Sequence, residues 1–337
     1  MEFTISGRLE VRITPADVGK RVSVRRVADA PEAGARFADT VGVLTSWDKG
    51  LLSITPKNGE SVRIPEAALV AGKVVPAAPA RRRGPSASFG ELARVAARAW
   101  QPVESEALGD WRLRAAAGFT RRANSVLPLG DPGMPLDEAL RRVRRWYGAR
   151  NLPAYVQTAT GGEDTQEQLC AGLEASGWRR EVSADVRIAA LAPLGDRDAD
   201  VSAVRTARGA DEAWLSRYRR FDTPGEAPGA HVREVLESGP SVWFATVPGE
   251  DPAGMPAAIG RCVVDGRWAG FMAVEVGPEH RRRGLATAVM TALARTALRE
   301  GASAAWLQVE TDNEGARALY DGMGFAPHHR YHHFRAA

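Results

Sequence analysis

Val274-Glu275-Val276-Gly277-Pro278-Glu279-His280-Arg281-Arg282-Arg283-Gly284-Leu285-Ala286-Thr287 decides how the chain is read. A β-type run enters a basic, glycine-containing turn. An apolar-periodic helix follows, with Leu285, Val289, Met290, Leu293, Ala297 and Leu298 at helical spacing. A glycine turn between strand and helix aims several backbone N–H groups at one place, where the positive end of the helix dipole also lies. That is an anion site, most naturally for phosphate, and three arginines deepen its potential. Alone, R-x-x-G-x-A also describes any basic helix start on a solvated surface. The identity of the anion therefore rests on the remaining chain.

At 337 residues the chain implies two or three domains. Its 45 basic and 41 acidic residues leave a net charge of +4. The basic residues cluster at Arg81-Arg82-Arg83, at Arg141-Arg142 with Arg144-Arg145, and at Arg281-Arg282-Arg283. That distribution suits anionic ligands at particular places and disfavours a general nucleic-acid surface. Cys170 and Cys262 lie in apolar segments without metal or disulfide spacing, which points to a reduced compartment. Met1-Glu2-Phe3-Thr4 lacks the regions of a signal peptide, and no apolar run approaches a membrane span. A soluble cytoplasmic protein without a membrane partner is expected; oligomerisation is left open.

Residues 1–77 read as five short strands around 22–24, 40–44, 52–55, 61–64 and 73–75, with Asn58-Gly59 as a hairpin signal. This predicts a small SH3-like barrel. A docking role fits it better than nucleic-acid binding, because no aromatic patch interleaves with basic residues. Residues 78–89 form a linker by composition.

Residues 90–193 and 200–337 each alternate strands and helices. In the first of these segments, helices are expected near 90–100, from Pro135, and over 163–176, with strands at 111–115, 122–128, 153–157 and 182–191. In the second, strands are expected at 201–205, 242–247, 257–264, 267–276, 305–309 and 325–334. Helices fall at 210–221, 229–238, after Gly284 and at 314–322, and Asp265-Gly266 is a hairpin turn. Leu173-Glu174-Ala175-Ser176-Gly177-Trp178 and Tyr320-Asp321-Gly322-Met323-Gly324-Phe325 share one shape: helix end, glycine cap, aromatic, strand. A divergent internal duplication follows.

The last segment resembles the GNAT superfamily of acyl-CoA-dependent N-acyltransferases. Its R/Q-x-x-G-x-G/A signature is matched by Arg281, Gly284 and Ala286, and its V-x-V-x-P strand end by Val274, Val276 and Pro278. Its late N-x6-Y helix followed by G-F is matched by Asn313, Tyr320, Gly324 and Phe325. The resemblance covers about 135 residues. It implies an α/β fold with a mixed central sheet and a splayed strand, here as tandem GNAT-like domains behind the N-terminal barrel.

It also implies acetyl-CoA as cosubstrate and no metal. The N–H groups of Arg282, Arg283, Gly284, Leu285, Ala286 and Thr287, beside Arg281, would hold the pyrophosphate, and the pantetheine would pair with the edge at Val274, Glu275 and Val276. In the family a bulge splays this strand, so the Val276 N–H is the expected oxyanion donor. Tyr320 is the expected general acid toward the leaving thiolate, and Asn313 anchors the pantetheine or caps the helix. Glu275, on the opposite strand face from Val274 and Val276, is a candidate base, and Glu310 and Glu314, flanking the next helix, are others. Gln308 stands where relatives acting on protein N-termini carry a glutamate, so no base is assigned from that position.

His328, His329, His332 and His333 alternate across a strand, so four metal ligands would not converge. In the middle segment, Asp131-Pro132-Gly133-Met134-Pro135 replaces the arginine-glycine turn and Leu173 occupies the position of Tyr320. A half without coenzyme A is expected there, walling the acceptor site with Asp110, Trp111, Phe119, Arg121 and Asn124 as candidates. The expected activity is acetyl transfer to a small-molecule or peptide amine. The alternative is a non-catalytic acyl-CoA-binding regulator whose barrel docks to a partner.

Overall fold

The computed structural model describes residues 10–27, 37–55, 61–75, 85–218, 229–251 and 254–337. Asn58-Gly59 and the stretch 219–228 lie outside them, as does most of the expected linker. The chain divides into two compact units, Met1–Arg83 and Gly84–Ala337.

The first unit is one antiparallel sheet of β1 (Arg21–Val27), β2 (Phe37–Asp48), β3 (Leu51–Thr55), β4 (Val62–Pro65) and β5 (Leu69–Val74), in the order β4-β3-β2-β1-β5. Val22, Val24, Leu44, Leu52, Ile54 and Ile64 alternate onto its buried face. Lys49 and Gly50 join β2 to β3 with φ of 48° and 74°, the positive pair that a two-residue hairpin requires.

In the second unit the middle segment supplies α1 (Phe89–Ala99), β6 (Glu104–Leu108), β7 (Trp111–Ala115), β8 (Leu127–Pro128), α2 (Leu136–Gly148), β9 (Tyr155–Thr160), α3 (Glu167–Ala175) and β10 (Arg179–Ala190). After a short α4 (Ala192–Gly195), the last segment supplies β11 (Arg205–Ala207), α5 (Glu212–Arg217), α6 (Ala230–Glu237), β12 (Ser241–Val247), β13 (Ala258–Asp265) and β14 (Trp268–Val276). It ends with α7 (Leu285–Arg299), β15 (Ala304–Glu310), α8 (Glu314–Gly322) and β16 (Ala326–Arg335).

Eight strands form one sheet in the order β11-β12-β13-β14-β15-β10-β16-β9, and β6-β7-β8 form a second. The two segments are thus interleaved. β10 lies between β15 and β16, and β16 lies between β10 and β9, so each segment closes the other's sheet. One face packs on α1, α5 and α6 through Trp214, Val232, Met272, Trp306 and Tyr331. The other packs on α7 through Phe271, Val289, Leu293 and Leu307.

The echo between the segments is a pair of matching helix caps. Trp178 N–H bonds the Leu173 carbonyl and Gly177 N–H that of Glu174; Phe325 does the same to Tyr320 and Gly324 to Asp321, all at 3.0 Å. Gly177 and Gly324 have φ of 79° and 91°. Both are the Schellman pattern, which needs a left-handed residue at that position.

Several elements differ from the sequence expectation. Residues 201–204 form no strand, and pairing begins at Arg205. The 122–128 stretch opens as a 3-10 turn at Arg121–Ala123 and shortens to the two-residue β8, because Asn124 draws the chain into a loop. Its side chain binds the N–H groups of Ala116 and Gly118 and the carbonyls of Phe119 and Thr120. Residues 163–166 precede α3, and Pro135 caps α2 rather than entering it. The end of the expected linker belongs to the second unit. Ser86 and Ala87 offer carbonyls to Arg267 and His328, and Ser88 caps α1.

Candidate active site

The cleft is opened by a ladder that stops. β14 and β15 run parallel, pairing from Trp268↔Ala304 to Phe271↔Leu307, and then separate. The cause lies on the other side of β14. Its register with β13 shifts between Ile259 and Arg261, with Ala273 at φ 51°. An extra residue on one strand bends it and increases its twist. Gly260 is needed opposite this bulge, since a Cβ there would stand 2.5 Å from Val289 Cγ1.

Beyond Gly277, a 3-10 turn (Pro278–His280) leads to Arg282 at φ 62° and Gly284 at φ 78°, the cap of α7. The first helical bond runs from the Ala288 N–H to the Gly284 carbonyl. The amides of the preceding turn thus have no helical acceptor and point out along the positive end of α7. A non-glycine residue in the left-handed region costs about 1–2 kcal/mol, so Arg282 holds a conformation that the turn imposes.

These elements enclose a cleft of about 830 Å³ lined by Val274, Glu275, Val276, Arg281, Arg282, Gly284, Leu285, Ala286 and Thr287, with Asn313, Ala316 and Leu319 opposite. The expected residues are therefore brought together, apart from Arg283 and Tyr320. Arg283 donates to His280 Nδ1 at 3.2 Å. Tyr320 follows Leu319 and packs its half-buried ring edge-on against Phe325, with centroids 5.9 Å apart. Burial pushes its hydroxyl up to about 12. Asn313 caps α8, its side chain accepting the Ala316 N–H at 3.1 Å. Glu275 lies in the same wall as both valines, because the strand stands free of β15 there.

Residues 87–334 match the family described as the C-terminal region of the probable histone acetyltransferase Rv0428c. The chain belongs to that family. Its relatives include the uncharacterized N-acetyltransferase YobR of Bacillus subtilis, 26% identical over 249 residues, covering 72% of this chain and 96% of that protein. The probable histone acetyltransferase Rv0428c of Mycobacterium tuberculosis is 28% identical over 320 residues, 93% of each. A solved tandem GNAT protein from the clavulanic acid biosynthesis pathway shares the fold with a TM-score of 0.51 at 16% identity, covering 76% of this chain and 91% of that one. The protein is a GNAT-type acetyltransferase with tandem GNAT-like architecture.

Among the cleft residues of this acetyltransferase that sequence reasoning missed is Arg217. It is 3% exposed, bonds the Pro256 carbonyl at 2.7 Å and pairs with Glu279 at 3.1 Å. A lone arginine in a helix carries no signal of such a role. It also fixes Gly277, where a Cβ would meet Glu279 Oε1 at 2.4 Å and Arg217 Nη2 at 2.8 Å.

On the α1 face of the sheet, Gln308 follows Leu307 immediately, and its Oε1 accepts from Arg122 Nη1 at 2.7 Å. Of the expected wall residues, Phe119 stacks on Trp100 and meets Tyr218, while Arg121 lies 3.7 Å from Glu181. Trp111 donates to the Gly130 carbonyl from the core, and Asp110 builds the neighbouring turn by bonding Leu129 and Asp131 through its backbone.

In the middle segment, the corresponding turn binds itself. Asp131 Oδ1 accepts the Gly133 N–H at 2.6 Å, so a carboxylate stands where the last segment offers open amides.

The histidines depart from simple alternation. His329, Tyr331 and His333 face the α1 side, but the register between β10 and β16 skips His328. The bulge turns its ring onto the Ala87 carbonyl (2.9 Å) and onto His329 (2.8 Å). His332 on the other face is held by Ser183 and Thr160. Among the described residues no three His, Cys, Asp or Glu are placed to hold a metal. No helix among them is long and apolar enough to cross a membrane.

Proposed function

We propose that the protein transfers the acetyl group of acetyl-CoA to a primary amine by direct attack on the thioester. The observation that carries this reading is the position of the strand fork, which opens at Phe271↔Leu307 beside the open amides of the α7 turn. A pyrophosphate suits convergent N–H groups at a helix start. The amides of residues 282–287 hold it, and Arg281 and Arg282 add charge. The pantetheine extends along the unpaired edge of β14, as an added strand would.

The amine nitrogen attacks the carbonyl carbon, and the negative charge that develops on oxygen meets the Val276 N–H. The C–S bond then breaks, the amide forms, and the sulfur leaves as thiolate. Tyr320, next to Leu319 of the cleft lining and kept protonated by burial, delivers its proton to that sulfur and recovers one from the new amide nitrogen. An amine near pKa 10 must lose a proton before attack, and Glu275 in the cleft wall takes it. Residues 90–193 form a half that binds no coenzyme A, because the Asp131 carboxylate occupies its turn.

Thiol release from acetyl-CoA, measured over a panel of amines, tests the reading. Amine-dependent release is expected. Coenzyme binding without release on any amine would instead favour an acyl-CoA-binding regulator.

A further inference from the structure

On the α1 face of the sheet, next to the fork, three arginines carry positive charge with neutral partners. Arg122 is half-buried over the Trp100 ring, 4.7 Å from its centroid, and spends one of its five donors on Gln308. Arg261 lies 5.0 Å from the same ring, fully buried, and bonds the carbonyls of Leu236 and Ser238 at 2.6 Å. Arg114, 4% exposed, bonds the Ser125 carbonyl and hydroxyl and Gln157 Oε1. Among the described residues, no carboxylate lies within 4.0 Å of these three guanidinium groups. Burial lowers Arg114 to about 10 and Arg261 to about 9, so both stay charged at neutral pH.

The repeated architecture separates a structural arginine from an available one. In the middle segment the parallel contact is Val126↔Val156, and the next residue, Gln157, carries Arg114. In the last segment the parallel ladder ends at Leu307, and the next residue, Gln308, carries Arg122. In each segment the glutamine after the last parallel contact is held by a guanidinium. Arg114 is buried and spends three of its five donors on Ser125 and Gln157. Arg122 is partly exposed, and the middle segment delivers it to the fork of the last one.

Resting on the acetyltransferase reading, we propose that the acceptor is an amine bearing an anionic group, a carboxylate in the first instance, and that Arg122 binds that group. A guanidinium offers a carboxylate two parallel N–H bonds, while a lysine-rich peptide would bring like charge to the same place.

The test uses the full chain with acetyl-CoA and matched acceptors. These are phenylalanine against phenethylamine, lysine against 1,5-diaminopentane, and a lysine-rich peptide. The carboxylate-bearing member of each pair should be favoured at least tenfold in kcat/KM. Arg122→Gln should remove that preference through KM, Arg122→Lys should restore part of it, and Gln308→Glu should weaken it by supplying an internal carboxylate. Preference for the decarboxylated amine or the peptide, an unchanged preference in Arg122→Gln, or no turnover of any member by a protein that binds coenzyme A would each overturn the acceptor assignment. Absence of coenzyme binding would instead strike the acetyltransferase reading itself. Thermal unfolding of each variant separates misfolding from lost recognition.

Discussion

Phe271 and Leu307 are the last paired residues of β14 and β15, and the cleft begins where they part. One step before them, Gly270 pairs with Trp306 and lets its indole lie flat against the strand: a Cβ on Gly270 would stand 2.5 Å from the ring. Trp306 is 1% exposed and cannot swing into solvent.

Gly270→Ala should therefore overpack the base of the fork, costing about 1–3 kcal/mol. A urea midpoint unchanged from the parent would show that Trp306 has room to move.

Tyr320→Phe should slow thiol release about 100-fold or more while coenzyme affinity stays unchanged, since the hydroxyl acts only as sulfur leaves. With its hydroxyl pushed up to about 12, Tyr320 should impose no loss of rate up to about pH 10. Full activity of the phenylalanine variant on its best amine would end the assignment.

Arg187 and Asp321 should respond asymmetrically. Arg187 on β10 is buried and donates to Asp321 on α8 at 2.5 Å, while the Asp321 side chain is 60% exposed. Asp321→Ala leaves a buried cation with the Arg317 carbonyl alone, and should cost about 1–3 kcal/mol. Conversely, Arg187→Met leaves only a solvated carboxylate and should cost less. Equal losses in chemical denaturation would refute the asymmetry.

Acid should destabilise the junction of the two segments. Burial lowers His329 and His332 to about 4 and His333 to about 3, against an ordinary value near 6.5. The unfolded chain thus binds more protons between about pH 6.5 and 4. Stability is full above that window and falls as pH drops through it, by up to about 1.4 kcal/mol per unit for each histidine. Among the described residues, neither ring nitrogen of His333 has a hydrogen-bond partner. His333→Phe should therefore hold stability at pH 7.5 and flatten the fall of Tm toward pH 5. An unchanged slope would contradict it.

The glycine turn before α7 was legible because its signals are local. A β-run, a glycine with positive φ and an apolar-periodic helix all fall within 30 residues. The paired helix caps were legible for the same reason. The strand β6 was not, since four of its five residues are exposed and show no apolar alternation. Insertion of β10 between β15 and β16 was also hidden, because strand partners are chosen by packing across long sequence separations. Likewise, Arg122 and Gln308 lie 186 residues apart. Gln308 could be seen only as a missing glutamate, and its guanidinium partner not at all.

Calorimetric titration of acetyl-CoA into the parent and into Gly284→Val tests the central claim most directly. Gly284 has φ 78° with nothing within 4 Å of an added Cβ, so the substitution strains the turn without filling space. One coenzyme per chain is expected for the parent, with affinity about tenfold lower in the variant, matching a strain of about 1–2 kcal/mol. No binding by the parent, two equivalents per chain, or equal affinity in the variant would contradict the assignment of the α7 turn as the single pyrophosphate site.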